Sequence, residues 1–290
     1  MASPGASPAW IDGEWETADG LTLAYRDYPG GAGKPPLLCL HGLTRNARDF
    51  EDLAARLAGE WRLIVPEMRG RGRSEYAKAS TSYALPTYVG DVVRLLEKLQ
   101  PGPVAVIGTS MGGLIALVLA QTQAWPTVGT ALNDIGPELE PAGVARIREY
   151  VGQARSFETW MHAARALRDM NGGAHPDFSL ADWLAMAKRT MCVSGSGRIA
   201  FDYDMKIAEP LTNDATLDQD LWPAFRALGG KPLLVLRGEL SDLLSAATME
   251  RMAAEVPGAM TVTVPRVGHP PLLTEPAAVA AIDTWLAQIA

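Results

Sequence analysis

Short apolar runs that stop at glycine or a polar residue alternate along most of this chain with longer segments of helical period, and that alternation admits few folds. Strands separated by helices do not pair as tight hairpins. They pair parallel, with the helices covering both faces of the sheet. A strand buried on both faces shows no inside–outside alternation and reads as a continuous run of leucine and β-branched residues. Leu37–Leu40, Arg62–Val65, Val104–Ile107, Val128–Leu132, Leu233–Leu236 and Met260–Val264 have that character. Runs around Trp15–Thr17 and Leu21–Tyr25, with Asp19-Gly20 between them, predict an amino-terminal hairpin. Together these runs predict an α/β protein with a mostly parallel, eight-stranded sheet.

The intervening segments are long enough to cross over. Asn46 is placed to cap a helix with Phe50, Leu53, Ala54 and Leu57 on one face. Val89, Val92, Val93, Leu96 and Leu99 repeat in the same way, as do Val279, Ile282, Leu286 and Ile289 in a closing helix from about Pro276. From Gly136 to about Leu217 the rhythm breaks: three helical patterns, near 142–152, 157–170 and 179–192, follow one another without a convincing strand. The expected organisation is a core of 1–135 and 218–290, interrupted by a helical cap over 136–217. The cap is rich in methionine and aromatic residues, of which Trp160 and Trp183 are candidates to line an apolar substrate pocket.

A length of 290 residues suits one α/β core with an insertion. The balance of 33 acidic against 26 basic residues repels phosphate backbones, so no nucleic-acid partner is expected. The densest basic run, Arg69-Gly70-Arg71-Gly72-Arg73, is punctuated by glycine and predicts a turn with solvated arginines. Two cysteines, Cys39 and Cys192, make no disulfide framework and fit a reducing cytoplasm. Met1–Pro8 has neither a basic nor an apolar segment of a secretory signal and predicts a frayed tail. The longest apolar stretch, Leu114–Ala120, is far too short to span a bilayer, so no membrane partner is expected either. Oligomeric state leaves no mark in the sequence.

The chemistry gathers around Gly108-Thr109-Ser110-Met111-Gly112, which follows one apolar strand and runs directly into the helix-like Gly113–Leu119. A Gly-x-Ser-x-Gly turn between a strand and a helix throws the serine hydroxyl clear of the backbone at the positive end of the helix. Ser110 is therefore the candidate nucleophile. His41-Gly42-Leu43 follows the strand ending at Leu40, and the N–H groups of Leu43 and Met111 would form a two-donor oxyanion hole, with His41 bracing the loop by hydrogen bonds. The general base has to arrive late in the chain, where Gly268-His269-Pro270 lies between the last strand and the last helix; His269 is the candidate, and His162 and His175 are assigned solvated or packing roles in the cap. For the carboxylate that orients the imidazole, Asp242 is favoured because it follows the strand Leu233–Leu236 and leaves room for one helix and one strand before His269. Asp134, at the end of the preceding strand, and Glu239 are the alternatives.

With these residues in hand, the chain resembles the α/β-hydrolase superfamily. The resemblance spans nearly the whole core and rests on His41-Gly42, on Pro66-Glu67-Met68-Arg69-Gly70-Arg71-Gly72-Arg73-Ser74, on the Ser110 turn, on Gly238 with Ser241-Asp242, and on Gly268-His269 followed by Pro270-Pro271-Leu272-Leu273. It implies the α/β-hydrolase fold and a Ser-His-Asp hydrolase acting on a small-molecule substrate. Haloalkane dehalogenases and epoxide hydrolases of this fold carry aspartate where this chain has Ser110, which disfavours both chemistries. A similar Ser-Met-Gly-Gly turn occurs in carboxylesterases, enol-lactone hydrolases, carbon–carbon hydrolases and cofactor-free perhydrolases. Cleavage of a carboxylic ester of a small or medium apolar substrate is the leading expectation. Hydrolysis of a carbon–carbon bond or enol-lactone is the first alternative, with Arg69, Arg146, Arg148, Arg155, Arg165 and Lys188 as possible clamps for an acidic substrate, and a non-enzymatic ligand receptor is the second. No cofactor is expected: Gly30-Gly31-Ala32-Gly33-Lys34 lacks the Ser/Thr of a phosphate loop, and no metal-ligand spacing is present.

Overall fold

In the computed structural model the described residues are 9–212 and 220–289, so the expected tail at Met1–Pro8 and the last residues of the expected cap, 213–217, lie outside them. A hairpin of β1 (Ile11–Glu16) and β2 (Thr22–Tyr28) opens the chain. There follow β3 (Leu37–Leu40), a 3-10 turn (Ala47–Phe50) running into α1 (Glu51–Leu57), β4 (Leu63–Pro66), α2 (Leu85–Leu99), β5 (Val104–Thr109), α3 (Met111–Thr122) and β6 (Thr127–Asn133). Asn46 caps the 3-10 turn by accepting from Arg48 N at 3.0 Å. The insertion contains α4 (Pro141–Tyr150), β7 (Ser156–Phe157), α5 (Trp160–Asn171), α6 (Leu180–Thr190), β8 (Met191–Val193), β9 (Ile199–Phe201) and a 3-10 segment (Met205–Thr212). The core resumes with α7 (Trp222–Arg226), β10 (Leu233–Gly238), α8 (Ala246–Glu255), β11 (Met260–Val264) and α9 (Pro276–Leu286).

The sheet has eight strands in the order β1-β2-β4-β3-β5-β6-β10-β11. The pairs β1–β2 and β2–β4 are antiparallel and the others parallel. Successive residues of the central strands feed opposite apolar layers, as the pleat requires. Leu38, Leu40, Val106, Leu132 and Val235 pack with α2, α3 and α7 on one face. Leu37, Cys39, Ile107, Ala131 and Leu236 pack with α1 and α9 on the other. Each leucine or isoleucine so buried is worth about 1.5–3 kcal/mol, and the sheet is held between two such layers. Every parallel strand from β3 to β10 therefore ends on the same edge, and the loops that leave that edge carry the chemistry.

Two expectations need correction here. The turn at 69–73 is present, but its arginines are not all solvated: Arg69 is 1% and Arg71 0% exposed. Arg69 forms a two-pronged pair with Asp91 (2.7 Å on both prongs) and another with Asp19 (2.9 Å on both prongs). Burying so large a cation is tolerable only with donors matched to acceptors, which this geometry supplies. The insertion also holds strands: β7, β9 and β8 form a small antiparallel sheet. Strands of two or three residues are too short to show a period of two, which is why the sequence pattern hides them. This sheet and helices α5 and α6 enclose a separate apolar cluster that includes Ala163, Leu167, Trp183, Met186, Met191 and Ile199. Among the described residues, no helix is long and apolar enough to cross a membrane.

Candidate active site

Ser110 sits between β5 and α3 with φ 51° and ψ −117°, a left-handed conformation that a side chain rarely adopts. The crowding around it explains its glycines. A Cβ on Gly112 would stand 2.0 Å from the carbonyl oxygen of Leu40, and one on Gly108 would stand 2.6 Å from the backbone of Gly112. Only with both side chains absent does α3 start against the sheet and present Ser110 above the strand ends. The following helix leaves its first N–H groups without intrahelical partners, and Met111 N–H is the first of them.

His269 comes from the loop between β11 and α9 and meets the serine: its Nε2 accepts from Ser110 Oγ at 3.0 Å. Its other nitrogen, Nδ1, donates to Asp134 Oδ2 at 2.8 Å, since a carboxylate only accepts. Asp134 is fully buried, follows β6, and takes φ 55°, a conformation that aspartate tolerates better than most residues. Two further donors hold its carboxylate, Gly238 N on Oδ1 and Ser241 Oγ on Oδ2, each at 2.7 Å. The result is a continuous line from Asp134 through His269 to Ser110.

Asp242, which the spacing favoured for that place, stands elsewhere. Its carboxylate accepts from Arg146 Nε at 2.5 Å and Nη2 at 2.8 Å, and this arginine holds its pKa below the usual range. The loop after β10 does reach the imidazole's carboxylate, but with Ser241. Leu243 N and Leu244 N donate to Ser241 Oγ, closing a tight turn that sends Asp242 towards α4. Glu239 faces away too, accepting from Arg266 N at 2.7 Å.

The loop carrying Leu43 is braced from below. His41 is completely buried; its Nε2 accepts from Met68 N at 3.0 Å, and Nδ1 contacts the carbonyl of Gly42 at 2.7 Å. Burial pushes its pKa down to about 4, so it is a neutral strut at ordinary pH. Arg71 is the second brace. Its Nε donates to Leu43 O at 2.9 Å, Nη1 to Arg69 O at 2.7 Å and to Tyr88 Oη at 2.8 Å, and Nη2 reaches Met111 Sδ at 3.7 Å. One buried guanidinium thus touches both residues proposed from sequence as oxyanion donors.

Two chambers meet at Ser110. One, partly open to solvent and about 550 Å³ with that open space included, is almost wholly apolar and is lined by Leu43, Met111, Ile135, Leu139, Val144 and Leu243 among others. The other, about 790 Å³ on the same basis and also partly open, is mixed and includes Arg45, Asn171, His175, Trp183, Met186 and His269. Trp183 therefore borders the mixed chamber, whereas Trp160 borders neither and packs against the apolar cluster of the insertion. The cationic clamps expected from sequence are mostly engaged elsewhere: Arg69 with Asp91, Arg146 with Asp242, and Arg155 with Gln153, while Arg165 and Lys188 are exposed. Arg148 lines the apolar chamber.

Comparison with known proteins places this geometry in a family. The model of the alpha/beta hydrolase family matches residues 37–282. The chain belongs to the alpha/beta hydrolase family. A crystal structure of an alpha/beta hydrolase from Novosphingobium aromaticivorans superimposes on the hydrolase with a TM-score of 0.94 at 52% identity, covering 98% of this chain and 100% of the other. A 3-hydroxybutyrate-oligomer hydrolase of Cupriavidus necator is 36% identical over 265 residues, 89% of this chain and 90% of the relative. A 2-(acetamidomethylene)succinate hydrolase of Mesorhizobium japonicum is 28% identical over 257 residues, 86% of this chain and 85% of the relative.

Four residues of the hydrolase's site escape sequence reasoning. Ser241 and Arg71 sit inside motifs that were recognised, but their partners are set by how loops fold. Arg45 and His175 border the mixed chamber from a loop and from the segment before α6, where no periodicity marks a side chain as inward-facing. For Arg71 the usable signal was the alternation of arginine with glycine, since glycine beside a large cation lets backbone close over it.

Proposed function

We propose that this hydrolase cleaves carboxylic esters in two steps through an acyl-enzyme. The observation that carries the reading is the Asp134–His269–Ser110 line, with contacts of 2.8 and 3.0 Å, at the junction of the two chambers. His269 Nε2 takes the proton of Ser110 as Oγ attacks the ester carbonyl, and Asp134 holds the imidazole in the required tautomer and stabilises its cation. The N–H groups of Leu43 and Met111 receive the developing oxyanion, with Arg71 fixing both residues from beneath. His269 then gives the proton to the departing alkoxide and activates water to release the acid.

The chambers divide the ester. His269 borders only the mixed chamber, so the alcohol half, which it must protonate, lies there. The acyl half then occupies the apolar chamber beside Leu43 and Met111, a space suited to a small or medium apolar acyl group. The residues between β6 and α7 act as a cap, since Val144, Ile147, Met170, Trp183 and Met186 close both chambers. The relative named for 3-hydroxybutyrate oligomers supports the reading, because hydroxy acids joined head to tail are joined by esters.

Ser110→Ala should abolish both turnover of p-nitrophenyl butyrate and labelling by a fluorophosphonate. Survival of either removes the assignment, and faster turnover of a dienol ketone than of any ester in kcat/KM would replace it with carbon–carbon hydrolysis.

A further inference from the structure

The mixed chamber contains a cation and an unpartnered polar atom that ester hydrolysis itself does not use. Arg45 follows the Leu43 loop. A Cβ on Gly42 would lie 3.5 Å from Arg45 Cγ and 3.6 Å from Ser110 Cβ, so the arginine stem and the nucleophile flank the same glycine. From there the side chain runs along the chamber to Met186, whose sulfur lies 3.0 Å from Nη1. Asp49 also accepts from Nη1, at 3.2 Å. Among the described residues, these two side chains account for the guanidinium's hydrogen bonds, and both use the same nitrogen. Nε and Nη2, the pair of donors that fits a carboxylate in two-pronged fashion, are not used by either.

His175 stands across the same chamber. It is 5% exposed, is stacked on Phe178 with ring centroids 4.5 Å apart, and its Nδ1 is buried without a hydrogen-bond partner. A buried ring nitrogen left unpaired costs free energy unless a ligand meets it. The positive charge of Arg45 adds to burial in opposing protonation of this ring, and Tyr150, which borders the chamber as well, has its pKa raised chiefly by burial. His175, held at about 4 chiefly by burial, stays neutral and has an N–H to offer.

We propose that Arg45 and His175 form a carboxylate-recognition site on the leaving-group side, so that the preferred substrates are esters whose alcohol half is a short hydroxy acid with a free carboxyl end. This rests on the ester reading above, which places the alcohol half beside His269. The carboxylate engages Arg45 through Nε and Nη2 and accepts from His175, while its hydroxyl-derived oxygen is bound to the acyl carbon at Ser110. Hydrolysis breaks that acyl–oxygen bond, adds the elements of water, and releases a hydroxy acid anion from the carboxyl end. A neutral alcohol of the same size leaves both polar groups unmet and is the poorer substrate.

Three substrates test this with the intact enzyme: the linear dimer of 3-hydroxybutyrate with its carboxylate free, the methyl ester of that carboxylate, and p-nitrophenyl butyrate. The free dimer should exceed its methyl ester by about tenfold or more in kcat/KM, the range expected for one well-placed charged contact. Arg45→Gln should bring that ratio close to one, and Arg45→Lys should restore part of it. As a check independent of any variant, free 3-hydroxybutyrate should inhibit p-nitrophenyl butyrate turnover at concentrations where methyl 3-hydroxybutyrate does not. Turnover of p-nitrophenyl butyrate with equal rates on the dimer and its methyl ester overturns the carboxylate site and leaves ester hydrolysis standing. Turnover of none of the three overturns both.

Discussion

Replacing Asp134 by asparagine separates orientation of the imidazole from its presence. The aspartate accepts three hydrogen bonds, from Gly238 N on Oδ1 and from Ser241 Oγ and His269 Nδ1 on Oδ2. An amide in the same rotamer has one acceptor and two donors. With its oxygen towards Gly238 N, the NH₂ faces Ser241 and His269; the Ser241 hydroxyl oxygen already accepts from Leu243 N and Leu244 N, so it meets the amide poorly, and the ring nitrogen has to accept. That forces the imidazole proton onto Nε2, where it opposes the proton of Ser110 and removes the base. With the amide reversed, its NH₂ meets Gly238 N–H donor to donor, in a site with no exposure. The first arrangement is cheaper, so Asp134→Asn should fold and keep Ser110 and His269 in place while losing on the order of 10⁴ in kcat, or about 5 kcal/mol of transition-state stabilisation. Asp242→Asn removes only a partly exposed pair with Arg146, worth about 1 kcal/mol or less, and should change kcat by no more than about threefold. Steady-state turnover of p-nitrophenyl butyrate, with thermal melts to certify folding, decides it. A folded Asp134→Asn protein with more than a tenth of the original kcat, or a larger loss in Asp242→Asn, refutes the assignment.

Arg71→Lys should lower kcat on the order of a hundredfold with KM little changed, because a single ammonium cannot hold Leu43, Arg69, Tyr88 and Met111 together; a loss confined to KM would show that Arg71 does not position the oxyanion donors. Acid should weaken the fold through His41 and His175, both brought from 6.5 to about 4 mainly by burial. Between those two pH values the unfolded chain takes up a proton that the folded chain refuses, so this stability is complete above about 6.5 and lost as pH falls through about 4, by roughly 3 kcal/mol for each ring. Urea midpoints at pH 7.5 and 4.5 should therefore draw together in His175→Phe, which keeps an aromatic ring against Phe178, and an unchanged gap would discount the contribution of His175. Gly112→Ala drives a methyl group into Leu40 O and should cost on the order of 3 kcal/mol or more, seen as a lowered melting temperature; a melt within 1–2 °C of the parent would mean that α3 shifts freely.

The parallel sheet was legible because its strands announce themselves by composition: doubly buried runs such as Val104–Ile107 have no other use for so many branched side chains. Ser110 was legible for a related reason, since the glycines around it answer a local crowding that strand, turn and helix create by themselves. Asp134 and Asp242 show where such reasoning ends. Both follow strands that lie side by side, β6 and β10, and sequence spacing, which admits either carboxylate, favoured the wrong one. What separates them is a hydrogen-bonded turn at Ser241 and an arginine on α4, from a part of the chain almost a hundred residues away. The arginines of 69–73 illustrate the same limit from the other side. A cation-rich, glycine-rich stretch reads as solvated until Asp19, Asp91 and a set of carbonyls are seen waiting for it.

Because Ser110 stands where two chambers meet, the ester reading proposed above has the two halves of a cleaved ester leave it through different spaces and at different times. The alcohol departs first, from the side that Arg45 and His269 border, while the acyl group stays anchored among Leu139, Val144 and Leu243. Water for the second step has to enter through the space just vacated, since His269 can activate it nowhere else. A hydroxy acid that returns to that space before water does meets the same base and the same acyl group. On the proposed reading the hydrolase would then run as an acyl transferase, and an excess of hydroxy acid would favour a lengthened product over the free acid.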